Sequence, residues 1–139
     1  MPGLNSGVVR RFVDEYQSQH RTDVAEELLA ADFVDRSPFG PMPTDRTGVL
    51  SLFGMLFAAF PDLRAEIHDQ IEDGDKVVTR KTFHGTHAGE FMGIAPTGNA
   101  VAWDVIDILR VRDGKLVEHW NVVDAYALML QIGAIPAPQ

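Results

Sequence analysis

The chain has 139 residues, 45% hydrophobic and 23% charged, one domain's worth of a globular protein with a real core and room for one internal pocket. Twenty acidic against twelve basic residues leave a net charge of −8, and the scattered Lys and Arg exclude a phosphate-binding surface for nucleic acid. The lack of cysteine excludes disulfides, thiolate metal sites and cysteine nucleophiles; no apolar run approaches the ~18 residues of a membrane span, and no signal peptide precedes Val9, so a cytoplasmic protein is expected.

Asn5 or Ser6 is placed to cap a first helix, whose apolar stripe is Val9, Phe12, Val13 and Tyr16. Asp23 with Glu26 reads as a capping box opening a short second helix that carries Val24, Leu28 and Leu29, and Phe33-Val34 follows as a brief extended piece. Residues 37–43 hold three prolines and a glycine, which forbids helix. Thr44 or Asp45 opens a third helix with Val49, Leu52, Phe53, Leu56 and Phe60 on its buried face, and Pro61 ends it.

The period then changes from 3.6 to 2. Leu63, Ala65, Ile67 and Ile71 mark one face of a first long strand, Glu72 to Asp75 a turn, and Lys76 to His84 a second strand. Residues 85–99, with four glycines and one proline, form a long connection. Val101 to Val111 is a third strand, Asp113-Gly114 a hairpin turn, Lys115 to Val123 a fourth strand, and Ala125 to Ile132 a last short helix stopped by Gly133. Helices first and antiparallel strands after predict α+β packing, with helices on one face of a curved sheet.

Strict alternation along the last strand places Leu116, Glu118, Trp120, Val122 and Asp124 on one face and His119 on the other. Asp124 then has apolar neighbours in Trp120 and Val122, which would raise its proton affinity; it also directly precedes a helix and suits an N-cap. A solvent-exposed Asp124 confined to capping would favour a binding module without catalysis. Arg80, Thr82 and His84 share a face at period 2; they either line a pocket and bind substrate oxygens or form the solvent face over Val77, Thr79 and Phe83. Arg110 either holds a substrate carboxylate or ester or pairs with Asp104 or Asp107. His87 is an acid–base candidate at a pocket mouth or a fastener of its loop. Phe33, Phe53, Phe57 and Trp103 are candidates for the pocket wall, and His20 and His68 read as surface positions. No His-Glu-x-x-His, compact carboxylate cluster or nucleotide-binding motif occurs, so no metal is expected.

The ordered pieces from Phe60 onward carry a resemblance. They are Phe60-Pro61-Asp62-Leu63, Gly74-Asp75-Lys76-Val77-Val78, Gly85-Thr86-His87, Gly89 to Ile94, Pro96-Thr97-Gly98, Asp113-Gly114-Lys115, Glu118-His119-Trp120, Asp124 and Gln131-Ile132-Gly133. In this order they resemble the SnoaL-like polyketide cyclases, or ester cyclases. The resemblance implies one NTF2-like domain over residues 1–139: an α+β cone, its curved, mostly antiparallel sheet and N-terminal helices enclosing an apolar pocket. It implies an intramolecular aldol ring closure on a hydrophobic polyketide-like substrate, without metal or organic cofactor, and a homodimer or larger homo-oligomer. Its catalytic aspartate near the end of the last long strand is matched by Asp124. Those cyclases also carry a histidine on the preceding strand, and here that place reads Arg110. The departure keeps open another enzyme on the same fold, such as a steroid-type isomerase or an epoxide hydrolase, and a non-catalytic small-molecule-binding module.

Overall fold

The computed structural model describes residues 3–138. Helix α1 (Leu4–Arg11) runs directly into a π-helical stretch (Phe12–Ser18), followed by α2 (Thr22–Leu28), β1 (Leu29–Asp35), α3 (Arg46–Ala59), β2 (Arg64–Asp73), β3 (Lys76–Thr86), β4 (Ala100–Arg112), β5 (Lys115–Val123) and α4 (Ala125–Gln131). The sheet order is β1-β5-β4-β3-β2, antiparallel except for the parallel pair β1 and β5. The brief extended piece expected at Phe33-Val34 is thus a full edge strand, which gains its ladder from a partner more than eighty residues away. The helices lie over one face of this curved sheet, giving the expected α+β cone.

Local signals set several boundaries. Asp45 caps α3, accepting from the Thr47 N–H at 3.0 Å. Asp113 and Gly114 both take positive φ, 52° and 74°, as a tight turn between right-twisted strands requires. The expected caps of the first two helices do not form. Helix α1 starts at Leu4 after a left-handed Gly3, and the backbone N–H and Oγ of Ser6 each donate to Glu72 at 2.8 Å. Asp23 lies in the first turn of α2 and pairs with Arg21 at 2.9 Å. The π-helical winding lets one short segment bury Phe12, Val13, Tyr16 and the polar Gln17 together; such segments recur at functional sites.

Two bulges change which side chains face inward. A bulge inserts one unpaired residue, and beyond it the alternation changes phase. On β2 the pairing steps from Ile67↔Lys81 to Asp69↔Arg80, leaving His68 unpaired; Ile71 therefore faces solvent at 62% exposure instead of continuing the stripe of Ala65 and Ile67. On β5 the pairing steps from Arg110↔Glu118 to Val111↔Leu116, leaving Val117 unpaired. Leu116 is buried, but after the bulge His119, Asn121 and Val123 turn inward, while Glu118, Trp120 and Val122 turn outward. None of the helices is long and apolar enough to cross a membrane among the described residues.

Candidate active site

Strands β3 and β4 alternate without interruption opposite one another. Their inward rows are Val77, Thr79, Lys81 and Phe83 on β3, and Val101, Trp103, Val105, Asp107, Leu109 and Val111 on β4. Between these rows and the helices lies a cavity of about 370 Å3, within the range of small-molecule sites. Its walls are largely apolar, with the aromatic rings of Phe12, Phe33, Phe53, Phe83, Phe91 and Trp103 among them. Residues 37–40 of the proline-rich loop and α4, through Leu128 and Met129, complete the lining.

Into this apolar space project Gln17, Lys81, Asp107, His119 and Asp35. The Lys81 Nζ, 1% exposed, donates to Asp107 Oδ2 at 2.8 Å and to Gln17 Oε1 at 2.9 Å. His119 Nδ1 lies 3.0 Å from Asp35 Oδ1, and its Nε2 faces Asp107 Oδ2 at 3.9 Å. Asp107 Oδ1 is buried and has no hydrogen-bond partner among the described residues. A buried carboxylate oxygen left in this way costs free energy, and persists here because Lys81 neutralises the group as a whole.

The fields of these groups push the two titrating partners in opposite directions. Burial by itself would raise the Asp107 pKa, but the Lys81 ammonium and the His119 ring outweigh it and hold the carboxyl below its ordinary range. Burial by itself would lower the His119 pKa, but Asp107 and Asp35 outweigh it and hold the imidazole above its ordinary range. These opposite shifts favour an ionised carboxylate beside an imidazolium, a pair suited to accepting and donating a proton.

The pH dependence of stability follows from these shifts. The raised His119 contributes stability that is complete below ~6.5, its unfolded value, and is lost as pH rises through the folded value. The depressed Asp107 contributes stability that is present above ~3.9 and is lost as pH falls through its folded value. Thermal unfolding followed by circular dichroism across pH is expected to show its maximum between these limits, and His119→Gln to flatten the alkaline decline.

Of the residues singled out from sequence, Phe33, Phe53 and Trp103 line the cavity. The others lie elsewhere. Asp124 is exposed and caps α4, accepting from the Ala127 N–H at 3.0 Å; the Val117 bulge leaves it in phase with the outward Trp120 and Val122. Trp120 lies on the outer face of the sheet beneath Lys76 and Arg110. Arg80 pairs with Asp69 at 2.7 Å and His84 with Glu66 at 2.9 Å, on the solvent side of β3. Arg110 pairs with Asp75 at 2.8 Å and Glu118 at 3.0 Å, not with Asp104 or Asp107. His87 is fully buried, but outside the cavity lining: its Nδ1 accepts from the Thr97 N–H at 3.3 Å and its ring packs on Phe60, so it fastens its loop. Phe57 stacks on His20, with centroids 3.9 Å apart, behind the cavity wall.

The residues missed were Lys81, Asp107, His119, Asp35 and Gln17. Two carried a usable signal: Lys81 and Asp107 occupy positions in phase with otherwise apolar rows, Val77–Phe83 and Val101–Val111, and a charge in such a row is either paired or functional. For Asp124 the structure supports the capping role, so Asp124→Ala is expected to destabilise the protein by about 0.5–2 kcal/mol through loss of the cap, with any turnover per folded molecule unchanged. Chemical denaturation alongside a turnover assay checks both halves of that expectation.

Residues 7–132 match the model of the SnoaL-like polyketide cyclase family. The aklanonic acid methyl ester cyclase AcmA of Streptomyces galilaeus is 29% identical over 90% of this chain and 88% of its own length. The corresponding cyclase DnrD of Streptomyces peucetius is 25% identical over 91% of this chain and 88% of its own. Among solved structures, IdmH of Streptomyces antibioticus, proposed to be a polyketide cyclase, superposes with a TM-score of 0.81 at 34% identity, covering 93% of this chain and 98% of that one. AclR of Streptomyces galilaeus, proposed to be a hydroxylase, superposes at 0.87 with 30% identity, covering 97% and 84%. The match over nearly the whole chain, together with the cone and its apolar cavity, places this chain in the SnoaL-like polyketide cyclase family.

Proposed function

We propose that the protein closes a ring in a hydrophobic, polyketide-like substrate by an intramolecular aldol reaction, with Asp107 as base and His119 as acid. The observation that carries this reading is the Asp107–His119 pair, 3.9 Å apart in the lining of one apolar cavity and shifted in opposite directions by its surroundings. Family membership and the relatives named as methyl ester cyclases support the same class of reaction.

In the proposed sequence, the Asp107 carboxylate takes the proton from a substrate carbon flanked by carbonyls. The Lys81 ammonium stabilises the enolate oxygen as its charge develops. The enolate carbon attacks the second carbonyl, forming the carbon–carbon bond, and His119 Nε2 donates its proton to the new alkoxide. The proton held by Asp107 then passes to His119 Nε2, which restores the starting state. The product is an isomer of the substrate and no electrons leave it, so the proposal includes neither metal nor organic cofactor. Both reacting ends belong to one molecule, and an apolar cavity that folds them together supplies much of the acceleration. The direct test is turnover by Asp107→Asn on a polyketide ester that the parent accepts; retention of full activity would remove Asp107 from this role.

One observation favours a second reading. Asp124, the carboxylate in the expected catalytic position, is exposed and caps a helix, as in a non-catalytic binding module on this fold. The buried Asp107–His119 pair weighs against it, because apolar binding alone does not require two opposite charges in the cavity.

The outer face of the sheet presents Ile106 at 49% and Val122 at 77% exposure, and we propose that a second copy covers this face in a homodimer. Sedimentation at micromolar concentration is expected to give twice the chain mass, and Val122→Glu to give the monomer.

A further inference from the structure

The proposed chemistry requires His119 to present Nε2, not Nδ1, to the reacting atoms. We infer that Asp35 is the positioning residue that enforces this, by accepting the Nδ1 proton of His119 so that Nε2 is the nitrogen that gains and loses a proton. The inference rests on the cyclase reading for its purpose, but its geometry stands independently.

The geometry is a chain across three neighbouring strands: Asp35 on β1, His119 on β5, Asp107 on β4. Asp35 and His119 are direct register partners in the parallel β1–β5 pair, and their side chains meet at 3.0 Å. A ring nitrogen bonded to a fixed carboxylate keeps its proton, and the other nitrogen becomes the exchanging one.

Asp35 is itself fixed. Its side-chain Oδ1 also accepts from the Ser37 N–H at 2.9 Å, and its own N–H donates to the Thr44 carbonyl at 2.7 Å. Ser37 Oγ accepts from the Asn121 N–H at 3.1 Å, and the Arg36 N–H donates to the His119 carbonyl at 2.8 Å. The carboxylate that orients the imidazole is thus tied into the start of the proline-rich loop that lines the cavity.

The charged groups around the ring are few. Asp35 faces it from β1 and Asp107 from β4, while Lys81 on β3 acts through Asp107. Glu118, adjacent in sequence, turns outward to Arg36 and Arg110. Asp35 therefore supplies one of the two negative charges that favour the imidazolium. It also supplies the one that lies on the side away from Asp107.

The test uses nitrogen NMR of the ligand-free protein, following the His119 ring nitrogens through a pH titration, together with turnover against pH. In the parent, Nδ1 is expected to stay protonated throughout and Nε2 to titrate. In Asp35→Asn, which keeps a hydrogen-bond acceptor but removes the charge, the His119 midpoint is expected to fall by about one unit or more, and the alkaline limb of turnover to move with it while KM changes little. In Asp35→Ala, the neutral ring is expected to populate both tautomers. Unchanged tautomer and midpoint in both variants would overturn the assignment, and so would a shifted ring with an unshifted turnover profile. If Asp35→Ala does not fold, Asp35→Asn alone decides. Failure of the cyclase reading shows separately: full turnover in Asp107→Asn, whatever the ring nitrogens of His119 do.

Discussion

Asp107→Asn is expected to lower turnover by about 10²–10⁴-fold, the usual contribution of a positioned acid–base group. The amide cannot take the substrate proton, and it leaves the Lys81 ammonium and His119 without the carboxylate between them. Because that change also removes the counter-ion of a buried lysine, the rate must be referred to folded protein, with circular dichroism as the control. Asp107→Glu is the informative companion: it keeps the charge and moves the oxygens by one methylene, so a large loss of turnover with little loss of stability would separate positioning from folding. Asp124→Asn, in contrast, is expected to turn over substrate at the parent's rate, since Asn caps a helix about as well as Asp and Asp124 does not line the cavity. The two substitutions together are decisive: if Asp124→Asn is inactive and Asp107→Asn is active, Asp107 is not the base.

The second large effect is on stability. Lys81→Met is expected to cost about 3–5 kcal/mol, the penalty for leaving a buried charge without its partner. Lys81 Nζ and Asp107 Oδ2 are 2.8 Å apart, and both side chains are at most 4% exposed; with the ammonium gone, the charge nearest to the carboxylate is His119 at 3.9 Å. A loss of this size is a large share of a typical domain's ~5–15 kcal/mol. Removing both charges in Lys81→Met/Asp107→Leu is expected to recover most of it, because an apolar pair of similar volume faces no desolvation penalty. Urea denaturation of Lys81→Met, Asp107→Leu and the double variant, each against the parent, gives the coupling energy directly. A cost for Lys81→Met below ~1 kcal/mol, the scale of an exposed pair, would show that water reaches this site. The double variant would be stable and inactive, which is the pattern expected when a protein maintains a buried ion pair for chemistry rather than for stability.

The sequence by itself determined the class of fold and the family. The three prolines of residues 37–43 excluded helix, Asp45 began α3, Asp113-Gly114 turned the chain between β4 and β5, and the change of period from 3.6 to 2 after Pro61 marked the strands. These signals are local: each depends on backbone preferences or on alternation within one unbroken element. The ordered pieces from Phe60 to Gly133 then identified the family, and with it the cone. The tertiary structure alone decided the site. Whether a strand carries a bulge depends on the ladder it shares with its neighbours, so nothing local to β5 showed that Val117 would be left unpaired, turning His119 inward and leaving Asp124 outside. The same holds for the polar cluster, since Gln17, Asp35, Lys81, Asp107 and His119 come from five separate elements. Each is an ordinary polar residue along the chain, and only their convergence in one apolar cavity makes them an ion pair, a hydrogen-bonded imidazole and a candidate acid–base pair.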